Sequence, residues 1–262
     1  MTRTEVVEGI ATAMRHCGAA GNPPVLGVHG FAADMSVWML LEPALGTQVS
    51  LTLIDLPAHG ASAAMVPEGG LSGFAAHLAG VMDISSPSSV WILAHSFGAA
   101  VALRAAALRR AQVAGLILIA PAGLGTPVNP DFVAELCAAP DARVTRTILG
   151  QMLARPTLVT PAMAEGVFAQ VQDPRRGAAL RQVADMLPGL DAALAPDLPH
   201  LADLPIHVIR GALDPIIAPD NPLPASLAMA KLHMIENAGH LPQLEAPRPT
   251  LAAIRAAIGL PQ

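Results

Sequence analysis

Six short runs of apolar residues, rich in β-branched side chains, recur along the chain, and each ends in a turn. They are apolar at successive positions rather than at alternate ones, which is typical of strands buried inside a parallel sheet. The runs cover residues 24–31, 49–60, 89–96, 114–123, 205–214 and 230–240. Stretches with helical spacing lie between or after them, at residues 71–82, 99–110 and 250–258. This alternation predicts an α/β fold built on a doubly wound, mostly parallel sheet.

One interval of the chain breaks the alternation. Between residues 123 and 204 no run predicts a strand, and helix-like segments are separated by prolines. A structureless loop of that length is uncommon in a compact domain. We therefore predict a helical cap at residues 123–204, inserted into a core formed by residues 1–122 and 205–262.

Composition and charge exclude several classes of protein. Of the 262 residues, 53% are hydrophobic and 13% are charged, so the chain can bury a large core and global disorder is excluded. The formal net charge is −5, and the only basic doublets are Arg109-Arg110 and Arg175-Arg176. Such small basic patches do not predict nucleic-acid binding.

The cysteines, the first twenty residues and the longest apolar run bear on where the protein is located. Cys17 and Cys137 lie far apart without ligand-like neighbours at metal spacing, which indicates free thiols. The first twenty residues include Glu5 and Glu8 and lack a continuous apolar core, so no secretion signal is predicted. The apolar run at residues 90–108 is interrupted by polar residues, so no membrane span is predicted. We expect a cytoplasmic protein, and its oligomeric state stays open.

The stretch AHSFG at residues 94–98 puts a serine on a sharp corner between a predicted strand and a predicted helix. A nucleophilic hydroxyl on such a corner has a strained backbone, so the residues two before and two after it must be small. Ala94 and Gly98 meet this requirement, although the usual pattern has glycine at both positions. Ser96 is the predicted nucleophile, and a helix-capping serine is the alternative.

A serine nucleophile needs a base and a carboxylate that orients the base. Among nine histidines, His240 follows the last predicted strand in a loop that also contains Gly239. Asp214 leaves the preceding predicted strand at the same edge of the sheet. We therefore predict His240 as the base and Asp214 as the orienting acid, with a simple turn role for Asp214 before Pro215 as the alternative.

The oxyanion formed during acyl transfer needs two donors. The backbone N–H of Phe97, directly after Ser96, is one candidate, and the N–H of Phe31 in the stretch VHGFAAD is the other. The predicted substrate pocket includes His29, Met152, Phe168 and Leu241.

Five stretches between residues 28 and 247 stand in the order of the landmarks of the α/β-hydrolase superfamily, which the chain resembles: VHGF, DLPAHGAS, LAHSFGAA, RGALDPIIAP and NAGHLPQLEAP. The resemblance implies a serine hydrolase whose triad follows the chain order Ser96, Asp214, His240. It implies no metal and no organic cofactor.

A narrower resemblance involves the predicted cap. The stretches LILIAPAGLGTPVNPDFVAEL and LVTPAMAEGVFAQVQDPRRGAALRQVADML are similar to the hydrolase-fold domain of the dihydrolipoamide acetyltransferase component of acetoin dehydrogenase complexes. Those proteins carry a lipoyl domain, which we expect this chain to lack because its only lysine, Lys231, stands where the last predicted strand begins. Acyl transfer would then need a lipoyl arm in trans.

The expected activity is hydrolysis of a small-molecule ester or thioester with a mostly apolar acyl group. Three alternatives remain open: acyl transfer in trans, carbon–carbon bond hydrolysis, and a non-catalytic binding module on a hydrolase fold. The stretch APAGLG resembles carbon–carbon bond hydrolases, but Leu241 stands where those enzymes typically have a tryptophan.

Overall fold

A computed structural model describes residues 2–86 and 88–261. Eight strands form one sheet in the order β1-β2-β4-β3-β5-β6-β7-β8. The strands are β1 Thr2–Val7, β2 Ile10–Cys17, β3 Pro24–Val28, β4 Ser50–Ile54, β5 Val90–His95, β6 Val113–Ile119, β7 Ile206–Gly211 and β8 Lys231–Ile235. Strands β3 to β8 pair in parallel, whereas β1 pairs with β2 and β2 with β4 in antiparallel fashion. The predicted mostly parallel sheet is confirmed.

The hairpin of β1 and β2 was not predicted from the sequence. Its two-residue turn consists of Glu8 and Gly9, both with positive φ, as tight hairpin turns require. Strand β1 forms the edge of the sheet, and most of its side chains are exposed and polar. The hairpin therefore lacks the continuous apolar run that marks the buried strands.

The helices of the described residues lie on both faces of the sheet and in one long interval between β6 and β7. They are α1 Glu42–Leu45, α2 Leu71–Ser85, α3 Phe97–Leu108, α4 Pro130–Ala138, α5 Ala142–Gln151, α6 Pro161–Gln172, α7 Pro174–Met186, α8 Leu190–Leu194, α9 Pro242–Glu245 and α10 Pro247–Ile258. Helices α4 to α8 fill the interval, and we call them the helical segment. No helix in residues 2–86 and 88–261 is long and apolar enough to cross a membrane.

Local sequence explains why the helical segment breaks into short helices. Four of its helices start at a side chain that accepts backbone N–H bonds: Asn129, Asp141, Thr160 and Asp173. Proline occupies the first turn of α4, α6 and α7, where its missing N–H costs nothing. The prolines that divide the sequence here therefore start helices.

Two buried clusters hold the layers together. One joins the sheet to α2, α3 and the helical segment, and the other lies under α1 and α10. Helix α3 is rich in alanine, and its buried residues include Ala99, Ala102 and Ala106. Small side chains let α3 pack closely against the sheet, with its N-terminus at the carboxyl end of β5. Strands β7 and β8 run parallel to β5, so they end at the same edge.

Candidate active site

Ser96 lies on the corner between β5 and α3. Its φ of 50° and ψ of −117° are strained for a residue with a side chain. The corner is fixed by its backbone, because Ser96 N donates to the carbonyl oxygen of Ile119 at 3.0 Å and the carbonyl oxygen of Ser96 accepts from Ala99 N at 2.9 Å. The side chain of Ser96 is thus presented by a rigid turn, as the sequence predicted.

The structure brings Ser96, His240 and Asp214 into one chain of hydrogen bonds. Nε2 of His240 lies 3.0 Å from Oγ of Ser96, and Nδ1 of His240 lies 2.8 Å from Oδ2 of Asp214. The other carboxylate oxygen of Asp214 accepts from the backbone N–H groups of Ile216 at 2.8 Å and Ile217 at 3.0 Å. All three side chains are buried.

The surroundings of Asp214 favour its ionised form. Burial by itself raises the pKa of this carboxyl, but the charge of His240 and the hydrogen bonds from His240, Ile217 and Ile216 outweigh it, so the pKa is lowered. Asp214 is therefore a carboxylate at neutral pH and accepts the Nδ1 proton of His240. The lone pair on Nε2 of His240 then faces the hydroxyl of Ser96.

The backbone N–H groups of Phe31 and Phe97 lie beside Ser96 and donate to none of the acceptors in the turns, loops and caps that the structure describes. Phe97 opens α3, where N–H groups lack helical partners. Phe31 follows Gly30, and a β-carbon on Gly30 would lie only 3.1 Å from Cβ of Ser96. The absence of a side chain at Gly30 therefore lets the loop after β3 approach the serine.

His95 lies next to the proposed base but serves a different purpose. Its ring centroid is 4.9 Å from that of His240, and its Nε2 donates to the carbonyl oxygen of His240 at 3.0 Å. Burial, together with the nearby His240, lowers the pKa of His95 to about 3. A neutral His95 therefore supports the loop that carries His240.

A cavity of about 520 Å³ borders Ser96 and His240. Apart from Asp34 and a few neutral polar groups, its wall is apolar and comes from the loop after β3, the helical segment and the loop after β8. Its apolar residues include Phe31, Val128, Phe132, Val133, Leu136, Leu149, Met152, Leu158, Met163, Val167, Leu187, Ile216, Leu241 and Leu244. Met152 and Leu241 thus lie in the wall, where the sequence placed them.

The structure corrects the expectation for Phe168, which is not among the lining residues of the described chain. Besides Ala162 in its first turn, the lining positions of α6 are Met163, Gly166, Val167 and Gln170. They follow the spacing i, i+3, i+4, i+7 of a single helix face. Phe168 is one residue beyond Val167, which turns it by about 100° from that face.

The expectation that His29 lines the pocket is also wrong. His29 is fully buried; its Nε2 accepts from the N–H of Leu56 at 3.0 Å, and its Nδ1 donates to the carbonyl oxygen of Gly30 at 2.8 Å. Burial lowers the pKa of this ring. His29 is thus a neutral support beneath the loop that carries Phe31.

Two buried carboxylates near the site had no role predicted from the sequence. Asp55 accepts from the N–H groups of Met35 and Ala61, both at 2.8 Å, and so ties the loop after β3 to the loop after β4. Glu245 contacts the loop that carries His240. Both stand in stretches that carry the resemblance, DLPAHGAS and NAGHLPQLEAP, which was the only available signal.

Comparisons with known proteins identify the family of the chain. Residues 25–253 match the model of the alpha/beta hydrolase family. The chain is 32% identical over 233 residues to the dihydrolipoyllysine-residue acetyltransferase component of the acetoin cleaving system of Pseudomonas putida. That alignment covers 87% of this chain but only 61% of the relative, so the chain spans less than two thirds of that protein's length.

Two further proteins match along most of their length. The pimeloyl-[acyl-carrier protein] methyl ester esterase of Edwardsiella ictaluri is 29% identical, with 91% of this chain and 93% of the relative covered. The structure of 2-hydroxy-6-oxo-6-phenylhexa-2,4-dienoate hydrolase from Rhodococcus sp. strain RHA1 superposes with a TM-score of 0.86 at 19% identity, covering 99% of this chain and 98% of that one. The latter likeness concerns the fold alone. Because the family model matches residues 25–253, the chain belongs to the alpha/beta hydrolase family.

Proposed function

We propose that this protein is a serine hydrolase that cleaves esters or thioesters of mostly apolar acyl groups through an acyl-enzyme. The observation that carries the proposal is the continuous hydrogen-bonded chain from Ser96 Oγ through His240 to Asp214 at the wall of an apolar cavity. An activated serine, an aligned base and an adjacent acyl-sized space are what acyl transfer requires.

We assign a group of the site to each step. Oγ of Ser96 attacks the carbonyl carbon while Nε2 of His240 takes its proton, and Asp214 stabilises the imidazolium. The backbone N–H groups of Phe31 and Phe97 donate to the oxyanion, and each contributes roughly 3 kcal/mol to the transition state. His240 then protonates the departing alcohol or thiol. In the second half, His240 deprotonates a water that attacks the acyl carbon, and the acid leaves as Ser96 regains its proton.

The composition of the cavity wall favours an uncharged acyl group as the substrate. No lysine or arginine occurs among its lining residues in the described chain, and Asp34 is its only carboxylic acid. An acyl chain that ended in a carboxylate would lose its hydration without gaining a partner. We therefore propose neutral acyl groups as substrates and propose residues 123–204 as the cap that encloses them.

Acyl transfer is a second candidate because the Pseudomonas putida relative is named as an acetyltransferase component. The acyl-enzyme at Ser96 would be the shared intermediate, and a thiol such as dihydrolipoamide would replace water as the acceptor. Mixed incubations distinguish the two. A hydrolase releases only the acid at every acceptor concentration, whereas a transferase releases acyl thioester in proportion to the added dithiol.

The test of the proposed function is intact-mass labelling with a fluorophosphonate, on the wild type and on Ser96→Ala and His240→Ala. We expect one adduct per chain in the wild type, none in Ser96→Ala and at least 100-fold slower labelling in His240→Ala. A panel of esters and thioesters follows on the same samples. Absence of labelling in folded wild-type protein would reject the serine mechanism and favour a binding module on this fold.

A further inference from the structure

Glu245, at the end of α9, is a buried carboxylate that the proposed mechanism does not use. It is 3% exposed. Its Oε1 accepts from the N–H of Gly239 at 2.7 Å, and its Oε2 accepts from the N–H groups of Ala154 at 2.8 Å and Arg155 at 3.3 Å. One carboxylate thus joins the residue before His240 to the chain that follows α5.

Two more contacts make this junction tight. The N–H of His240 donates to the carbonyl oxygen of Met152 at 2.8 Å. A β-carbon on Gly239 would lie 2.6 Å from that carbonyl oxygen, so Gly239 permits a backbone approach that no other residue allows. The loop that carries His240 is therefore pressed against residues 152–155, and Met152 lines the cavity.

The hydrogen bonds of Glu245 hold two segments of backbone together, and we call such a carboxylate a bracket. Its carboxylate is met by three backbone N–H groups, and no ion pair to it occurs within residues 2–86 and 88–261. The guanidinium of Arg155 donates to the backbone carbonyl oxygen of Glu245, which adds a second link between the same two segments. A carboxylate that accepts several N–H bonds is held rigidly and fixes the segments that donate to it.

We propose that Glu245 is a positioning residue that sets the place of His240 over Ser96 and couples it to the end of α5 in the helical segment. This inference rests on the proposed function, because it assigns His240 the role of base. The carboxylate acts through the backbone of Gly239 and touches neither Ser96 nor the imidazole of His240.

Glu245→Gln tests the bracket with little change of shape. The amide replaces one acceptor oxygen by an NH₂ group, so either Gly239 N–H or the N–H groups of Ala154 and Arg155 face a donor. We expect kcat for a short p-nitrophenyl ester to fall about 10- to 100-fold, because small misplacements of a base are that costly. We expect KM to change less than about threefold, and fluorophosphonate labelling of Ser96 to slow by the same factor as kcat.

A matched control separates positioning from loosening of the helical segment. Arg176 in α7 also joins the helical segment to the rest of the fold, because its Nη2 donates to the carbonyl oxygen of Ser62 in the loop after β4 at 3.1 Å. None of its hydrogen bonds in the described residues involves Met152 or the loop that carries His240. Arg176→Met should lower the melting temperature while kcat stays at the wild-type level. Glu245→Asp keeps both acceptor oxygens on a shorter stem and should restore part of the lost kcat; it replaces Glu245→Gln if the latter does not fold.

The outcomes are distinct. A selective loss of kcat and of labelling rate in Glu245→Gln, absent from Arg176→Met, supports the proposal. Wild-type kcat in a folded Glu245→Gln overturns it, as does wild-type kcat in Glu245→Asp where that variant has to replace an unfolded Glu245→Gln. An equal loss of kcat in the Arg176 variant also overturns it. Ser96→Ala is measured in parallel: if it retains activity, the proposed function fails and the role of Glu245 fails with it. If Ser96→Ala is inactive and Glu245→Gln keeps the wild-type kcat, only the positioning role fails.

Discussion

A β-carbon on Gly98 would lie 2.2 Å from the carbonyl oxygen of His29. This distance is far below any real contact, so the start of α3 and the loop after β3 meet backbone to backbone. The two proposed oxyanion donors, the N–H groups of Phe97 and Phe31, stand one residue before Gly98 and two residues after His29. The close approach therefore brings the two donors to the same side of Ser96.

Gly98→Ala should separate these two loops. We expect a 10²- to 10³-fold loss of kcat, the cost of removing one oxyanion donor in serine enzymes. Steady-state kinetics on a short ester, together with a thermal melt, measures it. The matched variant Ala94→Gly restores the more usual glycine on the other side of Ser96 and should keep kcat within a few-fold, with about 1 kcal/mol of stability lost. Full activity in Gly98→Ala would contradict the assignment of the donors.

Asp214→Asn should preserve the shape of the site while removing the acceptor for the Nδ1 proton of His240. The imidazole would then favour the wrong tautomer, which costs about 10⁴-fold in kcat in other Ser-His-Asp enzymes. Because the pKa of Asp214 is lowered, the wild-type carboxylate stays ionised at every pH above its usual value of 3.8. The wild-type rate should therefore show no loss from protonation of Asp214 between pH 5 and pH 8. Asn activity within tenfold of wild type would remove Asp214 from the mechanism.

The edge of the sheet was predictable because parallel strands place their carboxyl ends together. Ser96 and Asp214 follow the buried strands β5 and β7, and His240 follows β8, an edge strand that is mostly exposed but whose apolar residues still predict a strand. The sequence alone could therefore bring the three residues to one edge. The β1–β2 hairpin was missed because its exposed edge strand carries polar residues. In the two strands of the hairpin, apolar and polar residues alternate too weakly for the sequence to distinguish the strands from a loop.

The directions of side chains and the long-range contacts to backbone groups could not be predicted from the sequence. Phe168 lies in the predicted helical cap but one residue off the lining face of α6, and that phase depends on how the helix packs. Glu245 and Asp55 accept from backbone N–H groups, which every residue except proline carries, so no residue type marks their partners. Only the folded chain reveals these two carboxylates as brackets.

Stability should fall as the medium becomes acidic, because buried histidines resist protonation. Burial lowers the pKa of His59 and His95 to about 3 and that of His77 to about 4, against an ordinary value of 6.5. Below pH 6.5 the unfolded chain binds protons that the folded chain does not, so this contribution is complete above pH 6.5 and is lost as the pH falls. Each such histidine costs about 2 kcal/mol at pH 5.

Urea unfolding at pH 7.5 and pH 5 measures this loss. His77 is remote from Ser96, with its Nε2 3.0 Å from the hydroxyl of Thr12, so His77→Gln isolates one such group. The drop in unfolding free energy between the two pH values should be about 2 kcal/mol smaller in His77→Gln than in the wild type. An equal drop in the two proteins would exclude His77 as a source.

The size of the cavity should limit the acyl chain. In an apolar pocket each added methylene is worth about 0.8 kcal/mol, so kcat/KM should rise about fourfold per methylene until the cavity is full. Val167→Phe adds bulk on the lining face of α6 and should move the point at which this rise stops to shorter chains, while the acetyl ester is hydrolysed as before. A series of p-nitrophenyl esters from acetyl to dodecanoyl locates that point.

Ala169→Phe is the matched control, because Ala169 is exposed on the same helix and is not among the residues that line the cavity. It adds a phenyl group to α6 at an exposed position that does not line the cavity, so its chain-length profile should coincide with that of the wild type. If both variants shorten the preferred chain, a general disturbance of α6 is responsible. If neither does, the acyl group binds elsewhere. A shift confined to Val167→Phe places the acyl chain against α6, in the cavity that borders Ser96.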